Sequence, residues 1–296
     1  MKKFSYIIAL LLISSVLFAQ QKPLFSNYVF NDYYYNPAIA STQERVDFRL
    51  LYRNQWAGLN GKPSTQTFSA NTALKKFPLG IGGNVYHDKT GPLRTFGFNV
   101  GISYGIKFKN KSMLSAGVSV GMVHLRLQDD INVREGGDVA ILNAQKGKAI
   151  PDAGLGVYYK WKGLYVGFSL PQLFQSKIKL EVDDPNNLNK LVRHYFLAAG
   201  YKVKVADKFE LEPSFLLKAV KAAPLQGDIS LKAIYNNLVW LGATYRTKDA
   251  TVIYAGVTIK DMFDIGYSYD ITTSNLNGVS QGSHEVLLAY RLKKGK

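Results

Sequence analysis

The sequence contains no cysteine. Disulfides, zinc–thiolate centres and cysteine nucleophiles are excluded together. Histidine is scarce: there are 4, His87, His124, His194 and His284, none at a metal-ligand spacing such as HExxH. Long apolar runs are missing apart from Tyr6 to Phe18, about 13 residues against the roughly 20 that a membrane-spanning helix needs. If this chain crosses a membrane, it does not do so as helices. There is no phosphate-binding loop, because Gly80-Ile81-Gly82-Gly83 sits in a strand-like stretch and opens no helix. No cofactor or metal is expected.

The one apolar run has another use. Met1-Lys2-Lys3 precede it and Ala19 follows it, the pattern of an export signal cleaved before Gln20. Losing Lys2 and Lys3 lowers the formal charge of +16 by two. The mature chain stays basic, but an exported protein is not expected to meet nucleic acid.

What the sequence has in abundance is alternation. From Thr95 to Phe108 the apolar residues Phe96, Phe98, Val100, Ile102, Tyr104, Ile106 and Phe108 take turns with Thr95, Gly97, Asn99, Gly101, Ser103, Gly105 and Lys107. A period of two puts the two sets on opposite faces of a strand. Strands in soluble proteins usually run about 5–6 residues. A tilted strand crossing a bilayer needs about 9–11, and this one is longer still. The pattern implies a wall with lipid on one side and water on the other.

The same module recurs to the end of the chain, as in Val46–Tyr52, Leu114–Val120, Leu164–Leu170, Phe209–Leu217, Phe263–Ile271 and Val286–Leu292. One face rejects charge and the other accepts it, as lipid demands. Mean hydropathy is close to zero, because only alternate residues would face lipid. The links between modules alternate. Asn54–Ser64, Asp88–Arg94, Leu127–Ile150, Pro171–Val192, Ala219–Gln226, Arg246–Ala250 and Thr272–Ser283 read as long; the intervening ones, such as Lys109–Lys111, Lys160–Lys162 and Lys260-Asp261, read as short. Short turns on one rim and longer loops on the other mark an outer-membrane barrel. The expected fold is all-β: a transmembrane antiparallel β-barrel of about 14 strands with both chain ends on the short-turn rim. The expected organisation is a signal peptide at 1–19, an aromatic segment at 20–44 and the barrel at 45–296. The aromatic segment holds Phe25, Tyr28, Phe30, Tyr33, Tyr34 and Tyr35 without a clean period. Rings so dense call for a plug or rim position.

Several short stretches, in order, resemble the PorP/SprF family of type IX secretion membrane proteins. They are LFSNYVFN (Leu24–Asn31), YNPA (Tyr35–Ala38), RNQWAG (Arg53–Gly58), GKPSTQT (Gly61–Thr67), GIGG (Gly80–Gly83), DKTGP (Asp88–Pro92), PSFLLK (Pro213–Lys218), GYSYD (Gly266–Asp270) and GSHE (Gly282–Glu285). The resemblance implies an outer-membrane barrel that serves protein export, and in gliding members adhesin export. The partners it implies are secreted cargo with a C-terminal sorting domain and components of the secretion machine. The alternative is a passive porin or hydrophobic-solute channel with the aromatic segment as plug.

Candidate partner-binding residues follow from position. Arg53, Gln55 and Trp56 open the first long link, where they could dock a partner or serve as a lumenal arginine and an interfacial tryptophan. Lys109, Lys111, Lys160 and Lys162 stand on the short-turn rim, as a solvated surface or as a steering field for an acidic partner. Lumenal charges of both signs, among them Asp47, Arg49, Lys218, Asp228, Asp264, Asp270 and Glu285, could select solutes or form a cross-lumen network. No enzyme is expected. In Ser283-His284-Glu285, neighbours on a strand point to opposite faces and cannot converge as a triad.

Overall fold

The computed structural model describes residues 25–26, 28–128, 147–176, 191–221 and 223–293. The expected leader, 1–19, lies outside them. The strands are β1 (Val46–Asn54), β2 (Ser64–Ala73), β3 (Leu79–Thr90), β4 (Leu93–Lys107), β5 (Met113–Leu127), β6 (Lys148–Trp161) and β7 (Leu164–Leu170). Strand β8 comes in two pieces, His194–Tyr201 and Val203–Ala206, interrupted at Lys202 and both paired to the next strand. Then follow β9 (Phe209–Val220), β10 (Gln226–Tyr235), β11 (Val239–Arg246), β12 (Ala250–Ile259), β13 (Phe263–Thr272) and β14 (Ser283–Leu292).

Each strand pairs antiparallel with the next, and β14 returns to β1 in register from Val46↔Leu292 to Asn54↔His284. The result is a closed barrel of 14 strands. Closure leaves no open edge, which is the condition for β structure in lipid.

Polarity is inside out. Val100 is 56% exposed, and Phe96, Phe98, Ile102, Tyr104, Ile106 and Phe108 share its outward face. Thr95, Ser103, Ser115, Ser69 and Asn84 are buried inside. A water-soluble sandwich would bury the first set and expose the second.

One link is much shorter than expected. The loop expected at Asp88–Arg94 is only residues 91–92, because Lys89 pairs with Arg94 and Thr90 with Leu93. The one expected at Arg246–Ala250 runs between those two strand ends as expected. Alternation of apolar residues stops at the edge of the lipid belt, but backbone pairing needs no apolar side chain and continues beyond it. On the other rim the turns at Lys162-Gly163, Asn236-Asn237 and Lys260-Asp261 are left-handed pairs, the backbone that matches the twist of a tight hairpin.

The aromatic segment is a plug. Phe25, Tyr28, Phe30, Tyr33, Tyr34 and Tyr35 are all buried inside the barrel. Asn31 caps a one-turn helix, Asp32–Tyr35, by accepting the Tyr34 N–H; Asn36 caps a 3-10 helix, Pro37–Thr42, by accepting the Ala38 N–H at 3.0 Å. Proline at the first helical position costs no hydrogen bond. The rings then interlock with lumenal rings edge to face: Tyr34 on Tyr86, Tyr35 on Phe196, and Phe30 on both Trp240 and Tyr254. Lumenal glycines give the second helix its seat. A Cβ at Gly80 would fall 2.1 Å from the Ser41 nitrogen, and one at Gly117 would fall 2.6 Å from that of Ala38.

Candidate functional site

Two charge systems divide the lumen. The first lies toward the rim of the longer loops. Arg53 and Glu285 are register partners on β1 and β14, and Arg53 also reaches Asp270 on β13 at 2.9 Å. Arg246 spans from Asp228 at 3.2 Å to Asp270 at 3.6 Å, and Lys218 holds Asp228 at 2.9 Å. All six side chains are buried. The start of the plug completes this system. Ser26 donates its N–H to Glu285 at 2.7 Å and its hydroxyl to Asp270 at 2.5 Å, while Arg246 donates to the carbonyls of Phe25 and Ser26. Charge-assisted bonds of this kind, out of water, fix a segment far more firmly than exposed pairs.

Arg53 therefore does not present itself to an outer partner, as one reading of its position expected. Its guanidinium turns inward because Asp270 and Glu285 are there to pair it. Gln55 and Trp56 are half-buried, and the Trp56 N–H donates to Ser283 at 3.0 Å. Their loop is laced to 281–283 by Ala57 N–H to Gly282 and Gln281 N–H to Ala57. The charged pairs run between nearby strands and onto the plug rather than across the lumen; rings fill the space between. Arg246 was the residue missed from sequence, since it read as the start of a link. Its place opposite Asp228 in the β10–β11 register, one position from outward Tyr245, was the available signal.

The second system faces the rim of both chain ends. There a basin of about 940 Å3 has the plug's exit, Ser41 to Arg45, as its floor. Its walls carry Arg45, Lys75, Lys107, Lys111, Lys160, Lys162 and Lys293 against the single carboxylate of Glu44. The structure thus brings together three of the four rim lysines singled out from sequence. Lys109 is exposed but stands outside the basin lining. Lys162 lies 5.3 Å from the Trp161 ring, a cation–π approach that orients it. Beside the basin is a mixed-charge vestibule. In it Arg49 holds Asp47 at 2.7 Å and donates to the Phe30 carbonyl at 2.6 Å. Burial pushes the phenols of Tyr33, Tyr34 and Tyr35 above their ordinary range, so the plug's rings stay neutral.

Catalytic geometry is not formed at Ser283-His284-Glu285. Ser283 and Glu285 are buried, whereas the His284 ring bonds Tyr267 at 2.6 Å on the other face. Among the described residues no cluster of His, Asp and Glu could hold a metal.

Several motif stretches belong to the plug or its lock, and two others meet each other. Ser26 meets Asp270 and Glu285, Ser69 bonds Asn31, Asn36 bonds the Val157 and Phe168 carbonyls, and Thr65 bonds Asp88 at 2.6 Å. A family model for "Type IX secretion system membrane protein PorP/SprF" matches residues 17–290. The chain belongs to the PorP/SprF family. As a PorP/SprF barrel it is an outer-membrane protein of the type IX secretion class, and that family points to a non-enzymatic role. Among solved structures it is similar to the CymD monoaromatic hydrocarbon channel, with a TM-score of 0.55 and 12% identity, covering 94% of this chain and 95% of that one. It is also similar to Omp33 of Acinetobacter baumannii, with a TM-score of 0.49 and 8% identity over 84% of this chain and 99% of that one. At such identities the CymD likeness speaks for the fold alone. No match was found among curated protein sequences.

Proposed function

We propose that this PorP/SprF barrel anchors part of the type IX machinery in the outer membrane and receives an acidic protein surface in its basic basin. The orientation follows the rule that short turns and both chain ends lie in the periplasm, so the basin opens toward the periplasm. The single observation that carries the reading is the basin's imbalance, seven cations to one carboxylate around the exit of the plug. Clustered like charge in a concave site raises the encounter rate with a partner of opposite sign and discriminates against wrong ones. The proposed partners are periplasmic components of the secretion machine and cargo with a C-terminal sorting domain. Likeness to a hydrocarbon channel fits a passive pore as well. What weighs for export is the family and a lumen occupied by residues 25–26 and 28–42 and bolted at both ends.

The experiment is a pull-down from native membranes with Lys111→Glu/Lys160→Glu/Lys162→Glu. Loss of machine components and of cargo secretion supports docking at the basin. Capture and secretion at the level of the unaltered protein refute it.

A further inference from the structure

Between the plug and the wall of β6–β9 lies another cavity, of about 260 Å3. It rises from the lysine rim, at Lys160 and Lys202, to Ser169 and Phe196 higher in the barrel. Its inner lining is mainly apolar, with Tyr28, Tyr35, Ile39, Phe196, Ala198 and Leu216 beside the polar Asn36 and Ser169.

The space is held open by the sequence. Tyr158 and Tyr165 stack with ring centres 6.2 Å apart and planes 18° from parallel. Tyr158 lies over Gly167, where a Cβ would stand 3.0 Å from its Cδ2, and Tyr165 lies over Gly200, where a Cβ would stand 2.4 Å from its Cζ. Glycine at both positions lets the rings lie flat on the wall. A larger residue at either would push a ring into the cavity. An apolar cavity of about 150 Å3 already admits benzene, so this one has room for about ten non-hydrogen atoms.

Charge at the mouth indicates what enters. Asp32 faces Arg49 at 3.8 Å. Glu212 faces Lys232 at 4.0 Å and accepts from Tyr165 at 3.3 Å. Lys202 is paired with Glu210 at 2.6 Å. Lys160 is the lining cation without an ion pair among the described residues, and it is exposed at the rim. We infer that this cavity binds a small amphiphilic carboxylate, its apolar tail or ring among Tyr28, Tyr35, Phe196 and Leu216 and its head on Lys160. Such a ligand would rest against the plug without displacing it.

Octanoate is the probe, titrated calorimetrically into the full-length protein in dodecyl maltoside, with protein-free micelles as baseline. Saturable binding above that baseline is expected. Ala198→Trp, which fills the cavity, should abolish it, and Lys160→Glu should weaken it about tenfold or more. Heat-modifiable gel mobility checks that Ala198→Trp folds; Lys160→Glu, at an exposed site, provides an independent variant. Heat equal to that of empty micelles overturns the inference, as does unchanged binding in the folded Ala198→Trp protein. Tighter binding of octylammonium than of octanoate overturns the role of Lys160. Ala198 lies outside the basin, so partner capture by Ala198→Trp tests the export reading separately.

Discussion

Arg53 and Glu285 face each other across the seam where the last strand closes on the first, 3.4 Å apart and both almost wholly buried. The same Glu285 accepts the backbone N–H of Ser26. One ion pair thus joins barrel closure to plug retention. Removing one member of such a pair leaves an uncompensated charge out of water, at a cost of about 3–5 kcal/mol.

Arg53→Met is therefore expected to destabilise the barrel by about 3–5 kcal/mol. Urea unfolding in micelles, read by loss of heat-modifiable mobility, measures it. Replacing exposed Lys109 by Met should change stability by about 0.5 kcal/mol or less. Equal effects at the two positions would show that the seam pair does not hold the wall.

The plug should set conductance. The unaltered protein is expected to be silent in planar bilayers, because rings and the 3-10 helix occupy the lumen. Gly117→Leu places a side chain where Ala38 lies and should displace that helix, giving steady or flickering current. A folded Gly117→Leu barrel that stays closed would falsify the plug as the barrier. A large steady current from the unaltered protein would favour a passive channel.

The basin should act as a unit, with Lys109 outside it. Reversing Lys111, Lys160 and Lys162 together is expected to lower affinity for an acidic machine component about tenfold or more, with the effect shrinking in high salt. Reversing Lys109 alone should have a smaller effect, although it sits on the same rim. Binding measured at two ionic strengths checks both expectations, and equal losses for Lys109 and for the triple variant would mean that the whole rim acts, not the basin.

The lipid face should reject charge in proportion to depth. Val100 is outward and pairs with Val120 in the middle of the two longest strands. Val100→Arg is expected to cost about 2–4 kcal/mol in phospholipid vesicles and less in detergent, where the solvent can rearrange. A cost that is the same in both would argue against a mid-bilayer position.

The sequence by itself determined the wall: alternation such as that of Thr95–Phe108 is a local property, and a closed sheet in lipid is the one structure that satisfies it strand after strand. The lysine turns and the seating of both chain ends on one rim follow from the same count. Tertiary structure decided what alternation cannot carry. Gly97 and Gly117 read only as small residues on the polar face, and Gly80 as part of a strand-like GIGG stretch; that Gly80 and Gly117 are the seat of a helix and Gly97 lies beneath the Tyr86 ring depends on contacts from distant parts of the chain. Arg53, whose place at a loop left both an outer and a lumenal position open, turns inward because Asp270 and Glu285, more than two hundred residues away, wait in the lumen. The loop expected at Asp88–Arg94 shortened to a two-residue turn because hydrogen bonding along a ladder is indifferent to side chains. A periodic pattern reports which solvent each face meets, and only the folded barrel brings together charges whose partners lie so far apart along the chain.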